Sequence, residues 1–383
     1  MEETYVLRIS EINTKTEFFN MKGYWDQTLT TTIDNNVFLT WEKMTTLASF
    51  LRNDFAIKIL CTTEGNEIIS IAPFRVTHKG LRSHFGDDFL EPLADGKTDC
   101  ERVKVTQEED LCLHQFAPYM ISQKDGDSKN FRDLSQFPSL GVNENSPEIS
   151  KLEIEKGIIC PFIAVPNSTE KLVASLKSKF QKKLKNNLKE LEKQHGKVEL
   201  KLYQEIGSLE QAMDVFFNLH RKKSFSKGDS GKYEKKKARE ITFQTAKYFA
   251  EKNLLRLYFL TVNNKPIAVE LNLEYEGKMY CHFKSFDPNY SKYRVGNLLT
   301  LKVLEECIAK GIVEYDFMQG AKNYKYEWTN KFRRTINIKL VKKKTSAHLI
   351  DVGFKVLNKS KIDSLLTKYA LVLSSIRYLF KKF

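Results

Sequence analysis

Residues 285–311 read SFDPNYSKYRVGNLLTLKVLEECIAKG. The run starts at the end of a β-rich segment, KMYCHFKSFDP (278–288), and Asp287-Pro288 signals a turn. Apolar residues at helical spacing then predict a helix over about 293–310. Its first turn would hold Tyr293, Arg294, Val295, Gly296, Asn297 and Leu298. A helix start presents backbone N–H groups without intrahelical partners and the positive end of the helix dipole, which suits a pyrophosphate. Gly296 would permit close backbone approach, and Arg294 could add a charge-assisted bond. The same residues also fit an ordinary turn into a helix.

Working outward, LRLYFLTVNN and KPIAVELNLEYEG (255–277) read as paired strands turning at Asn263-Asn264. VEYDFMQG (313–320) reads as a further strand, followed by a short aromatic helix and a β-rich run from Thr335 to Val341. Upstream, Val198–Glu205 looks like a strand, and helical segments occupy about 207–253. Residues 168–195 predict a basic helix capped by Ser168. Leu172, Leu176, Phe180, Leu184, Leu188 and Leu191 form its apolar stripe, and Lys177, Lys179, Lys182, Lys183, Lys185, Lys189 and Lys193 crowd the rest. That helix is either solvated with one packed face or a surface for a partner.

The first half opens with a strand-like run, Tyr5–Ile12, an aromatic helical stretch through Trp25, and a helix over 35–52. Two β-rich runs between Phe55 and Arg75 flank the turn TEGNE. Residues 121–150 are polar and aperiodic, as expected of an exposed insertion or inter-domain loop. No internal repeat is visible.

At 383 residues the chain has room for two domains of ordinary size. The formal net charge of +14 favours an anionic partner, whether nucleic acid, acidic lipid or cofactor phosphate. The six cysteines lack metal-ligand spacing, so neither a zinc site nor a disulfide framework is expected. No long uncharged apolar run and no signal-like N-terminus is seen, which reads as a cytoplasmic protein. The apolar, basic segment IDSLLTKYALVLSSIRYLFKKF within 345–383 would dock on the protein or lie on an anionic membrane at the inner face.

Three segments carry a family resemblance: FFNLHRKKSFSKGDSGKY (216–233), residues 285–311, and YDFMQGAKNYKYEW (315–328). In this order they resemble the BioF2-like, CelD-like branch of the GNAT acetyltransferases. VFLTWEKMTTLASFL (37–51) and IAPFRV with HFGDDF (71–76, 84–89) are similar too. Where that family often has Ser-Pro-Gly, this chain has Arg294-Val295-Gly296; where it often has Trp, Lys223 or Ser224 stands.

The resemblance implies an α/β chain with mixed sheets built as tandem GNAT-like folds, related to the Fem-type peptidyltransferases. The expected parts are an N-terminal GNAT-like domain (1–150), a catalytic one (151–344) and a helical tail (345–383). It implies transfer of an acyl group from acyl-CoA, without a metal, to an amine acceptor such as an amino sugar or a cell-envelope precursor. The pantetheine would lie between the strands carrying Cys281–Ser285 and Tyr315–Phe317, with the pyrophosphate at Arg294–Leu298. His220, Asp287, Asp316 and Lys325 would converge on this cleft, with His282 and Trp328 nearby. Each also has a structural reading, as a turn carboxylate for Asp287 and a buried ion pair with Lys325 for Asp316. Two other functions fit the charge: an aminoacyl-tRNA-dependent transferase of Fem type, and a noncatalytic nucleic-acid-binding protein. Against the latter, the basic helix lacks interleaved aromatics for base stacking.

Overall fold

The computed structural model describes residues 7–30, 37–50, 55–65, 67–77, 87–92, 119, 128–134 and 149–342. Expectations for the tail 345–383 and for 78–86 lie outside the described residues.

The first half comprises β1 (Leu7–Ile12), α1 (Lys15–Phe19), α2 (Lys22–Thr30), a 3-10 turn at Val37–Leu39, and α3 (Trp41–Phe50). It continues with β2 (Phe55–Glu64), β3 (Glu67–Thr77), β4 (Asp87–Pro92) and β5 (Ser128–Leu134). Thr14 and Glu17 form a capping box at α1, which fixes its start. Phe18, Trp25, Leu39, Trp41 and Met44 pack on Ile57, Ile59 and Ile71 of the sheet. The indole N–H of Trp25 donates to the Leu39 carbonyl at 2.7 Å, so its one polar atom is satisfied inside that core. The stretch 121–150, expected as a loop, contains β5. Its polar side chains conceal a strand because main-chain pairing to neighbours on both sides, not apolar alternation, defines it.

β6 (Ile149–Ala164) leads into the second half. There follow α4 (Thr169–Ser175), α5 (Ser178–His195), β7 (Val198–Leu202), the short α6 (Tyr203–Ile206), α7 (Leu209–Phe225) and α8 (Lys236–Glu251). Next are β8 (Leu255–Val262), β9 (Lys265–Tyr275) and β10 (Lys278–Phe286). A 3-10 turn (Pro288–Tyr293), α9 (Val295–Ala309), β11 (Glu314–Asp316), a 3-10 turn (Asn323–Glu327) and β12 (Phe332–Lys342) complete it. The basic segment is thus two helices. Ser168 caps the first, and the chain is extended at Leu176 before the second begins. At the β8–β9 hairpin Asn263 and Asn264 both take positive φ, 47° and 65°, the geometry a two-residue turn requires.

Among the described residues one sheet of twelve strands runs β1-β2-β3-β4-β5-β12-β6-β11-β10-β9-β8-β7. In this sheet β4–β5 and β10–β11 are parallel neighbours, and the other pairs are antiparallel. Each half therefore repeats one scheme of four strands in chain order and then a parallel step. The strands that follow are exchanged. β6 comes after β5 but neighbours β11, and β12 comes after β11 but neighbours β5.

Strands β8 to β10 are covered on both faces, which explains their nearly continuous apolar sequence. On one face α4, α5 and α9 contribute Leu172, Phe180, Leu184, Val295, Leu298 and Val303. On the other, α7 and α8 contribute Met213, Phe216, Ala246 and Phe249, joined by Val37 and Phe38 from the first half.

Candidate active site

β10 and β11 run side by side for only the pairs Lys278–Glu314, Met279–Tyr315 and Tyr280–Asp316. Then they part. β10 continues to Phe286 along β9, with His282 as the extra residue of a bulge between Cys281 and Phe283. Beyond Asp316 the chain turns towards β6, where Phe317 N–H donates to the Pro161 carbonyl and Gly320 N–H to the Ile159 carbonyl. Met318 holds a left-handed φ of 60° in this turn, and the Asp316 carboxylate accepts its N–H at 2.7 Å. The outcome is an opening of the paired main chains between Lys284–Phe286 and the segment 317–324, across which the Lys284 amine faces the Phe317 ring at 5.9 Å.

A charged network forms the floor of that opening. Glu270 of β9, fully buried, accepts from Thr300 of α9 at 2.7 Å and from Tyr315 of β11 at 2.9 Å. The Lys284 amine lies 2.7 Å from the same carboxylate, donates to Thr300 Oγ1, and faces the Tyr324 ring at 5.3 Å. Burial pulls this amine's pKa down, but Glu270 outweighs it and holds Lys284 above the ordinary value. In such a buried pair each charge compensates the other. Cys281 beside it is no nucleophile, since burial pushes its thiol up to about 12.

Lys223 of α7 reaches the rim. Its amine donates to the Lys284 carbonyl at 3.1 Å and lies 4.7 Å from the centre of the Phe286 ring. Burial, with Lys227, Lys322 and Lys284 around it, brings its pKa down to about 7.

The residues singled out from the sequence arrive in different states. His220 on α7 packs edge-on to Tyr233 at 4.5 Å and has Ser224 Oγ 3.5 Å from Nδ1. Burial, then Lys223 and Lys232, lower it to about 4, so it is neutral at pH 7. Asp287, almost fully buried, accepts the Asn289 N–H at 3.1 Å and pairs with Lys222 at 2.8 Å. Burial opposes its charge, yet Lys222 and the turn N–H keep its pKa below the usual value. This is the turn-carboxylate arrangement. Lys325, expected as the ion-pair partner of Asp316, acts on that carboxylate and lowers its pKa, but its hydrogen bonds go to the turn. Its amine donates to the carbonyls of Phe317, Met318 and Gln319 at 2.7–2.9 Å, holding the turn after β11. Asp316 instead meets Arg333 of β12 at 3.1 Å. Burial raises its pKa to about 6 against that arginine. His282 lies 5.6 Å from the Phe38 ring, and Trp328 packs on Phe180 in the core.

At the start of α9, Arg294 is the left-handed residue that joins the 3-10 turn to the helix. Val295 and Leu298 are core side chains, and Tyr293 is buried with its hydroxyl against Gln194 and His195 of α5. What this turn offers a ligand is therefore backbone, together with Arg294. Gly296 leaves space: an added Cβ would meet Phe286 at 3.6 Å and Lys284 at 3.8 Å, ordinary contacts. Arg294 is already engaged in a two-point pair with Glu327 at 3.0 and 2.6 Å, and Asn297 also donates to Glu327 at 3.3 Å.

Glu270, Lys284 and Glu327 were not identified from the sequence, and Lys223 stood out only as a departure from the family's Trp. A charge inside the apolar run PIAVELNLEY was the available signal for Glu270. Its partner Lys284 lies directly opposite on β10, a register visible only once the hairpin is paired.

The family model described as an acetyltransferase (GNAT) domain matches residues 178–326. Over those residues this chain is similar to GNAT domains. The matched span runs from α5 to the 3-10 turn after β11 and contains the opening between β10 and β11. Among solved structures, FemX is similar with a TM-score of 0.56 and 8% identity, over 87% of this chain and 97% of that one. A conserved protein of unknown function from Bacteroides thetaiotaomicron VPI-5482 is similar with a TM-score of 0.50 and 9% identity, over 88% and 100%. At these identities the likeness is one of fold. No curated protein matches the sequence significantly. Among the described residues, no helix is long and apolar enough to cross a membrane.

Proposed function

We propose that the GNAT-like domain is an N-acyltransferase moving an acyl group from acyl-CoA to an amine, with an amino sugar or a cell-envelope precursor as the acceptor class. The observation that carries this reading is the parting of β10 from β11 beside the first turn of α9. The opening suits an extended pantetheine, whose pyrophosphate would lie over Tyr293–Leu299 and draw Arg294 from Glu327. A neutral acceptor amine would attack the thioester carbonyl from the α7 side, and a main-chain N–H of β10 would bind the oxyanion. His220 is neutral and ready to take a proton, but a group near 4 is a weak base at pH 7. Positioning therefore supplies most of the acceleration.

The test is a calorimetric and thermal-shift panel of acetyl-CoA, longer acyl-CoAs and an aminoacyl-tRNA. A ligand that binds only the folded state at a hundredfold its Kd adds about 2.7 kcal/mol of stability. Stabilisation by an acyl-CoA is expected.

Two observations favour aminoacyl-tRNA as the donor instead. Glu327 already neutralises Arg294 at the turn. Lys179, Lys182, Lys183, Lys185 and Lys189 stand exposed on α5, with Lys177 at its cap, and the helix packs beside that turn. Stabilisation by aminoacyl-tRNA with none by any acyl-CoA would replace the first reading with this one.

A further inference from the structure

Among the described residues at the cleft rim, Lys223 is a half-buried amine that bonds a carbonyl and faces a ring rather than a carboxylate. The ionisable groups facing it are His220 of its own helix, Lys227 after α7, Lys284 and Cys281 of β10, and Lys322 before the last 3-10 turn. The lysines disfavour a proton on Lys223, and only the Cys281 thiol acts the other way. Its bond is to the carbonyl of Lys284, on the stretch of β10 that has left β11. A thioester held between the parted strands would lie along that same stretch.

We propose that Lys223 is a self-acylation site of this protein, taking the acyl group of a bound acyl-CoA when no acceptor amine is present. The inference rests on the acyl-CoA reading above. The uncharged Nζ lone pair attacks the thioester carbonyl carbon; a C–N bond forms and the C–S bond breaks. The departing thiolate takes the proton lost by Nζ. The products are an Nε-acyl-lysine and free CoA thiol, with no oxidant, reductant or metal required. The acylated side chain has lost its charge and carries the acyl group at the cleft rim, so the modified protein is closed to a second donor.

Full-length protein is incubated with acetyl-CoA at pH 6, 7.5 and 9, and acetylation is mapped by peptide mass spectrometry. Lys223 should be acetylated at least tenfold faster than the exposed lysines of α5, with about a tenfold rise from pH 6 to 7.5 and little above. Ordinary lysines, titrating near 10.4, should keep rising about tenfold per pH unit. Lys223→Arg keeps a cation able to reach the Lys284 carbonyl and should show no fast site while melting as the parent does. If calorimetry shows acetyl-CoA bound but Lys223 modified no faster than α5, self-acylation is wrong. If acetyl-CoA does not bind, the donor reading has failed and self-acylation from acyl-CoA falls with it. Acetic anhydride labelling then reads the amine alone: a plateau near pH 7.5 keeps Lys223 as the reactive amine, and a continued climb removes that too.

Discussion

Asp316 ends β11 with its carboxyl buried, and burial raises that group from an ordinary 3.8 to about 6 although Arg333 opposes the rise. A raised carboxyl pKa means the folded state binds the proton more tightly than the unfolded chain does. Asp316 thus contributes stability that is fully present below pH 4 and lost as pH rises through 6. The shift corresponds to about 3 kcal/mol. Asp316→Asn can still accept the Met318 N–H, so at pH 7.5 it should be at least as stable as the parent. Melting curves between pH 4 and 7 should flatten, and a variant that keeps the parent's slope would show that another group titrates. Lys325→Met should behave oppositely at every pH, because three carbonyls of the turn lose their donor. At about 1–3 kcal/mol per buried unsatisfied group, a loss of roughly 3–9 kcal/mol in urea denaturation is expected. Both residues were legible as members of the site region from YDFMQGAKNYKYEW, but their partners were not. Arg333 and the three carbonyls are set by how β12 and the turn fold back, and no local spacing encodes that.

Elements with strong local signals were the ones the sequence made visible: the Asn263-Asn264 hairpin, the Ser168 cap and the helix that opens beyond Arg294. β11 contracted to Glu314–Asp316, where VEYDFMQG promised a longer strand, because the chain leaves β10 at the cleft. The same parting makes the first turn of α9 the element to probe. Gly296→Ala adds a Cβ at ordinary contact distance and a better helix former, worth up to about 1 kcal/mol. The melting temperature should hold or rise, while acetyl-CoA affinity falls about tenfold if the pyrophosphate needs that backbone face. Glu327→Gln removes the carboxylate that ties Arg294. The pair is partly exposed, so about 0.5–1 kcal/mol is the expected gain, roughly two- to fivefold tighter acetyl-CoA in calorimetry. Unchanged affinity in both variants would place the donor phosphates elsewhere.

Across the whole molecule the two halves share one sheet by exchanging strands. β6 pairs with β12 from Pro161–Phe332 to Ile149–Lys342, while its end also pairs with β11. The tandem architecture was inferred only through family resemblance, because the repeat survives in strand order and not in side chains. Strand exchange makes the seam the place where both halves depend on each other. Within it, the register shifts between Arg334 and Ile336, and the buried Thr335 hydroxyl sits against Gly157 and accepts the Ile158 N–H at 2.6 Å. A Cβ on Gly157 would come within 2.2 Å of that hydroxyl and 3.0 Å of the Thr335 backbone, which has no room to retreat between two strands. Gly157→Ala should therefore cost about 1–3 kcal/mol by overpacking, although alanine is ordinarily the better residue within a strand. Because β6 and β12 bear on both halves, differential scanning calorimetry should show one transition in the parent and one lowered transition in the variant. Two resolved transitions with only one displaced would mean that the halves unfold independently and that the exchanged strands do not couple them.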